Sequence, residues 1–497
     1  MIQKDGGLFN IKGVRHMNLA NELKQVCTVK NTKGGNYFAT TYDCNLDFFA
    51  SLSRYNKKEK IQNSFSCALA ENKTLALANL LYTLDIKDGK GERRIFKEAF
   101  NYLCKNDVES AKTILPFIGK MGRYDYILKG LNTPFEEEVI NLIKKTLEKD
   151  LLSNNPSLLA KWLPSHKNNH KNSSKAKHIM CKMNMNEATY RKTLSSIRKK
   201  LNLVETNLTK KEYEHINYEH VPTKAMLKYK EAFKRNDSIS YNEYLSSLIK
   251  QEKKINTNGL FVYEVIRNIY RSDDKNDVLL DAMWANQKDL LKGKNTNVLV
   301  VADTSGSMMN YGGLPYFASI GLALYTAERN TGLFKDMFIT FSRRPTLQII
   351  KGKTISEKVK SIKSIVDNTN IDRVFKLILD TMVNNNGSQE DLPSHILIIS
   401  DMEFDEGVYS QNKTNLKGWK KAFNEHGFIL PKVVFWNVAA NSYGCPITKY
   451  ENDVIMISGF STNLLENIFD IENYDPVEYM KKTLNKYVIM LEKESYN

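Results

Sequence analysis

The rhythm of apolar positions along this chain changes near residue 297. From Leu46 to about Leu291, apolar residues recur at helical spacing in long amphipathic runs, with Pro and Gly mostly at the breaks. Leu75-Ala76-Leu77-Ala78-Asn79-Leu80-Leu81-Tyr82 is nearly apolar all round and predicts a buried helix. Arg94 to Leu103, Ala111 to Gly119 and Phe135 to Leu152 predict three more. They arrive roughly every 20 residues, the rhythm of stacked helix pairs in a solenoid.

After residue 297 the pattern becomes short apolar blocks alternating with helical runs. Val298-Leu299-Val300-Val301, Lys335 to Ser342, His395 to Asp401, Lys432 to Val438 and Val454 to Ser458 are each too short for a typical helix and predict buried strands. Leu314 to Thr326 and Val374 to Met382 carry helical spacing between them. Five strands alternating with helices predict a doubly wound parallel sheet. The fold class expected is therefore an N-terminal α-helical repeat followed by a doubly wound parallel α/β domain. Residues 1–35 read as a polar arm, 36–291 as the helical part and 297–497 as the α/β part, with Lys292-Gly293-Lys294-Asn295-Thr296 as linker.

Charge sharpens this division. The net charge is +16. Residues before 291 contain 49 Lys and Arg against 33 Asp and Glu, and those from 291 on contain 23 of each, so the whole surplus lies in the first part. Residues 151–200 alone hold 11 bases and one acid, Glu187, with Trp162 and Tyr190 interleaved. A basic region joined to a neutral one is expected where one part meets a polyanion. The residues assigned to RNA contact are Lys161, Lys167, Lys171, Lys175, Lys177, Lys182, Arg191, Lys192 and Arg198. His166, His170 and His178 lie in the same tract, but no Cys or acid recurs beside them at zinc-ligand spacing.

Cys27, Cys44, Cys67, Cys104, Cys181 and Cys445 are scattered, as in reduced cytoplasmic proteins, and no segment is long and apolar enough to span a bilayer. The turn Asp85-Ile86-Lys87-Asp88-Gly89-Lys90-Gly91-Glu92 could cradle phosphate through backbone N–H groups, but it lacks Walker spacing and the Lys-Ser/Thr ending.

The candidate chemistry of the second part sits where strands end. Asp303-x-Ser305-x-Ser307 follows the first strand, Thr369 precedes a helix, and Asp401 ends the third strand. Carboxylates and hydroxyls at the carboxyl ends of parallel strands suit a hard divalent cation. This set resembles the metal-ion-dependent adhesion site of von Willebrand factor A domains. The resemblance implies Mg²⁺ held by Ser305 and Ser307, with Asp303, Thr369 and Asp401 completing the shell directly or through water, and an open position for an acidic group on a protein partner. One departure is Met402-Glu403-Phe404-Asp405 after Asp401, where that family usually has Gly.

Gly89-Lys90-Gly91-Glu92-Arg93-Arg94 with Gly122-Arg123-Tyr124-Asp125 resembles the helical module of TROVE proteins, the family of the Ro autoantigen. There a ring of HEAT-like helices precedes an A domain. Ala160-Lys161-Trp162-Leu163-Pro164-Ser165, Tyr190-Arg191-Lys192-x-Leu194-Ser195 and Ser400-Asp401-Met402-Glu403-Phe404-Asp405 resemble a less characterised branch of such proteins. The resemblance implies a non-catalytic, cytoplasmic ribonucleoprotein whose basic ring holds structured or single-stranded RNA. The alternatives are an adaptor without a nucleic-acid role and a metal-dependent enzyme acting on phosphates. Against the enzyme, no nucleophile and base stand beside Asp303 in the sequence.

Overall fold

The computed structural model describes residues 28–30, 36–166, 170–272, 277–294, 296–341, 344–362, 370–404, 415–439, 445–471 and 474–495. Up to residue 285 the described chain is helical apart from one short hairpin, β1 (Thr28–Lys30) with β2 (Asn36–Phe38). The expected helices form at Lys73–Leu84, Arg93–Asn106, Val108–Met121 and Glu136–Leu152. In the first of these every residue from Ala76 to Leu84 is buried, as its all-round apolar sequence requires.

The second part is a six-stranded mixed sheet. Its strands are β3 (Val298–Asp303), β4 (Met337–Phe341), β5 (Thr346–Ile349), β6 (His395–Ser400), β7 (Lys432–Asn437) and β8 (Val454–Ser458), in the spatial order β5-β4-β3-β6-β7-β8. The five expected strands are mutually parallel. β3 and β8 are buried at every position, which is why they read as unbroken apolar runs. The all-parallel expectation needs one correction: β5 pairs antiparallel with β4 at the edge. Its pattern is inverted, with Gln348 8% exposed while Leu347 and Ile349 are 49% and 53% exposed. Sequence periodicity therefore gave it no inward apolar face.

From β3 the chain steps outward to β4 and later returns to β6 on the other side of β3. Strand order reverses between β3 and β6, and the crevice outside their carboxyl ends is where open α/β sheets bind ligands.

The two parts share one hydrophobic core. The Pro476–Ser495 helix packs on the Lys73–Leu84 helix, and the Val262–Arg271 helix lies along Asn310–Arg329. Hydrogen bonds cross the joint from Tyr487 Oη to Asp85 Oδ2 (3.0 Å), Ser53 Oγ to the Ala439 carbonyl (2.6 Å) and Trp284 Nε1 to Glu328 Oε2 (2.7 Å).

Candidate metal centre and basic groove

Asp303 and Asp401 come together at the strand-order reversal, both fully buried. Asp303 is held on both oxygens: the Ser305 N–H donates to Oδ1 (2.9 Å) and Ser400 Oγ donates to Oδ2 (2.6 Å). Ser305 Oγ and Ser307 Oγ are 3.1 Å apart at the start of a 3-10 turn over Gly306–Met309. Asp401 Oδ1 accepts from the Glu403 N–H (3.0 Å), whereas Asp401 Oδ2 is buried with no hydrogen-bond partner. Burial, and then the neighbouring Asp401, push the Asp303 carboxyl up to about 7.

A buried carboxylate oxygen left without a donor costs free energy, and a second carboxylate beside it adds repulsion. A divalent cation among Asp303, Asp401, Ser305 and Ser307 would relieve both, so the donor set fits Mg²⁺. Among the described residues no three His, Cys, Asp or Glu side chains converge, so the fit rests on two carboxylates and neutral hydroxyls. Thr369 lies outside the described residues, as does Asp405. Ser400 escaped the sequence reading because it looked like the last residue of an apolar strand.

The Met402 departure has a local explanation. Met402 sits at φ 63, the left-handed region where Gly is the easy choice. Its side chain is 1% exposed, and its carbonyl accepts from Tyr37 Oη at 2.5 Å. Tyr37 also stacks on Phe404 (6.4 Å between centroids), so the hairpin pins the loop after Asp401. Beyond Ser307, Tyr311, Gly312 and Gly313 form a left-handed run, and the Tyr311 ring stacks on Tyr55 of the helical part at 3.8 Å.

The Gly-Lys-Gly turn has a different task. N–H groups of Lys90, Gly91 and Glu92 donate to the carbonyls of Tyr82, Asp85 and Thr83, each at 3.0 Å, closing the end of the Lys73–Leu84 helix. None of these three N–H groups is left for phosphate. A Cβ at Gly89 would lie 2.2 Å from the Tyr82 carbonyl oxygen, so only glycine fits there. The turn drives Lys90 inward to 1% exposure, where Nζ donates to the Phe49 carbonyl and to Ser458 Oγ (3.1 Å) at the end of β8. Burial pushes the Lys90 amine down to about 7, with Glu92 pulling the other way. Arg54 embraces the buried Glu92 through Nε (3.1 Å) and Nη2 (2.7 Å) and lies over the Phe460 ring at 4.1 Å. Two further motif pieces meet nearby: the Arg123 guanidinium lies 3.7 Å from the centre of the Trp162 ring.

The residues assigned to RNA contact fall into three groups. Lys161 pairs with Glu205 (3.1 Å), and Lys182 and His178 both reach Glu136 (2.7 Å each). Burial raises the Glu136 carboxyl, but the hydrogen bonds from Lys182 and His178 outweigh it and hold the pKa at about 2. Arg198 donates to the carbonyls of Ala160 and Leu163 and to Ser165 Oγ, bracing the chain around Pro164. Lys175 is half-buried and also has a partner within the protein. Lys177, Arg191 and Lys192 are exposed. Lys167 lies outside the described residues, as does the side chain of Lys171.

A groove of about 780 Å³ opens between the helices Glu187–Lys200 and Val204–Lys210. Its walls carry Arg191, Arg198, Lys199 and Lys210, with His166 and His215, against the two acids Glu187 and Glu212. Lys210 and His215 were missed because they lie beyond the dense basic tract, and only folding brings them to it.

Residues 297–495 match a domain of unknown function, DUF7788, and residues 171–301 match a second, DUF2828. An uncharacterized protein of Acanthamoeba polyphaga mimivirus is 28% identical over 502 aligned positions, spanning 92% of this chain and 87% of its own length. The chain is similar to that protein along nearly its whole course, both parts included. No solved structure matches the chain.

Proposed function

We propose that this chain is a non-catalytic RNA-binding protein of TROVE-like design, with a HEAT-like helical part that holds RNA and an A-type domain that docks an acidic protein partner through Mg²⁺. The observation that carries the RNA reading is the charge division: the entire surplus of +16 precedes residue 291. Exposed Lys177, Arg191, Lys192 and Lys199 are the cations best available to phosphate. Phosphate contacts release counterions, so such binding weakens as salt rises.

Asp303, Asp401, Ser305 and Ser307 would hold the metal, with the unpartnered Asp401 Oδ2 supporting that assignment. When bound, Mg²⁺ would supply a coordination position for a carboxylate. The chain's own part is to keep both aspartates buried and oriented by Ser400, Ser305 N–H and Glu403 N–H. The described surroundings of Asp303 offer serine hydroxyls and a second acid, donors of the kind a docked cation takes.

Lys161, Lys182 and Arg198 are engaged within the protein, so fewer tract cations face outward than the count in sequence suggests. That observation keeps the adaptor reading as the competitor. Purification with and without nuclease, read as the ratio of ultraviolet absorbance at nucleic-acid and protein wavelengths, separates the two. The RNA reading expects nucleic acid to co-purify at low salt and to be lost after nuclease treatment. A protein equally free of nucleic acid in both preparations, with no affinity for added RNA, contradicts it.

A further inference from the structure

We infer that the groove between the Glu187–Lys200 and Val204–Lys210 helices is the seat of single-stranded RNA, holding phosphates on Arg191 and Lys199 and a base over Leu194 and Leu203. The inference rests on the RNA-binding reading above and assigns it one surface.

Its volume of about 780 Å³ falls within the roughly 300–1,000 Å³ of clefts that enclose a small ligand, enough for an unstacked nucleotide. The walls and floor differ in chemistry. Among the lining residues Arg191 and Lys199 stand exposed, while Leu203 is half-buried and Leu194 buried. A cationic rim over an apolar floor suits a phosphodiester joined to a base, whereas a duplex would present only its backbone to the rim.

Arg198 gives the groove a fixed wall. Three of its N–H groups are spent on Ala160, Leu163 and Ser165, which leaves two of the five donors of a guanidinium. At the far side Lys210 and His215 approach Glu212 at only 3.5 and 3.8 Å, loose pairings at partly exposed side chains that a phosphate can displace. Among the other described cations of the tract, Lys161 and Lys182 are held by acids, and Lys177 and Lys192 lie off the groove.

The test uses the full chain and a fluorescently labelled twelve-nucleotide single-stranded RNA, with anisotropy read across a salt series. Arg191→Ala with Lys199→Ala removes the rim. Lys351→Ala with Lys353→Ala removes the same charge from exposed positions of the charge-neutral second part, outside the groove. Two lost phosphate contacts flatten the salt slope by about 1.4 and weaken binding about 25-fold at 0.1 M salt, at roughly 0.7 per contact. The off-groove pair keeps the wild-type slope, and the same RNA as a duplex binds more weakly than the single strand. Melting temperatures of both double variants matching wild type exclude unfolding as the cause.

RNA binding that persists equally in both double variants overturns the groove assignment while leaving the RNA reading standing. Wild-type protein that fails to bind the oligonucleotide at low salt removes the RNA reading and the inference with it. Displacement of RNA by polyglutamate at equal charge concentration assigns the groove to acidic protein and also overturns the inference.

Discussion

Two sets of polar groups sit at the carboxyl ends of strands in the same sheet, and they are finished in opposite ways. At β3 and β6, Asp303 and Asp401 are crowded, and one carboxylate oxygen has no donor. At β8, Lys90 Nζ has a carbonyl and a hydroxyl, and Glu92 has both oxygens held by Arg54. Burial is equal at the two ends, so burial does not distinguish a ligand site from a structural joint. Satisfaction of the charged groups does: at the joint Lys90 and Glu92 both find partners, although the buried Tyr55 and Tyr82 hydroxyls beside them have none, whereas in the crevice a carboxylate oxygen of Asp401 is left open.

The largest expected effect breaks the joint. Arg54→Met leaves the carboxylate of Glu92, 1% exposed, without its partner. Removing one member of a buried pair costs about 3–5 kcal/mol. Urea denaturation is expected to show that loss, and Arg54→Met with Glu92→Gln to recover a good part of it. If the single variant is as stable as wild type, the Arg54–Glu92 pair does not support the joint.

A second effect follows from Lys90. Its amine titrates near 7 when folded against 10.5 for an ordinary lysine. Between those values the unfolded chain carries a proton that the folded chain has released, so stability rises with pH through that window. Below about pH 7 both states are charged and the cost of the buried ammonium is complete. Lys90→Met is expected to flatten the rise between pH 7 and 10, read as melting temperature against pH. An unchanged slope would mean that Lys90 stays charged in its hydrogen bonds to Phe49 and Ser458.

The smallest effect refines the crevice. Ser307→Ala removes a neutral hydroxyl and leaves both carboxylates. Mg²⁺ affinity is expected to fall about tenfold, a change of about 1.4 kcal/mol, with the metal-free melting temperature unchanged. Isothermal titration calorimetry reads the affinity, and an undiminished value would take Ser307 out of the cation's shell.

The contrast between the two ends also explains what the sequence could and could not disclose. β3, β4, β6, β7 and β8 were legible because parallel strands buried on both faces read as continuous apolar blocks. Asp303 and Asp401 were legible because they break such blocks at the end where ligands bind. β5 was hidden by its inverted pattern, with Leu347 and Ile349 outward and Gln348 inward. The joint was hidden for a deeper reason. Gly89-Lys90-Gly91-Glu92 is polar and glycine-rich, which locally describes a solvated turn, yet its partners Ser458 and Arg54 are far away in sequence. Tyr37 against Met402 is hidden in the same way. In the basic tract the charge density was legible, but not which cations would be consumed by Glu136 and Glu205.

The most direct test of the contrast is a Mg²⁺ titration of thermal stability on wild type, Asp303→Ala and Lys90→Met in parallel. A ligand that binds only the folded state stabilises it by about 2.7 kcal/mol at one hundred times its dissociation constant. Wild type and Lys90→Met are expected to gain equally from Mg²⁺, while Asp303→Ala gains nothing, its metal-free stability set by relief of the crowded carboxylates against the acceptor lost to the Ser305 N–H and Ser400 Oγ. Equal Mg²⁺ stabilisation of Asp303→Ala and wild type would contradict the account.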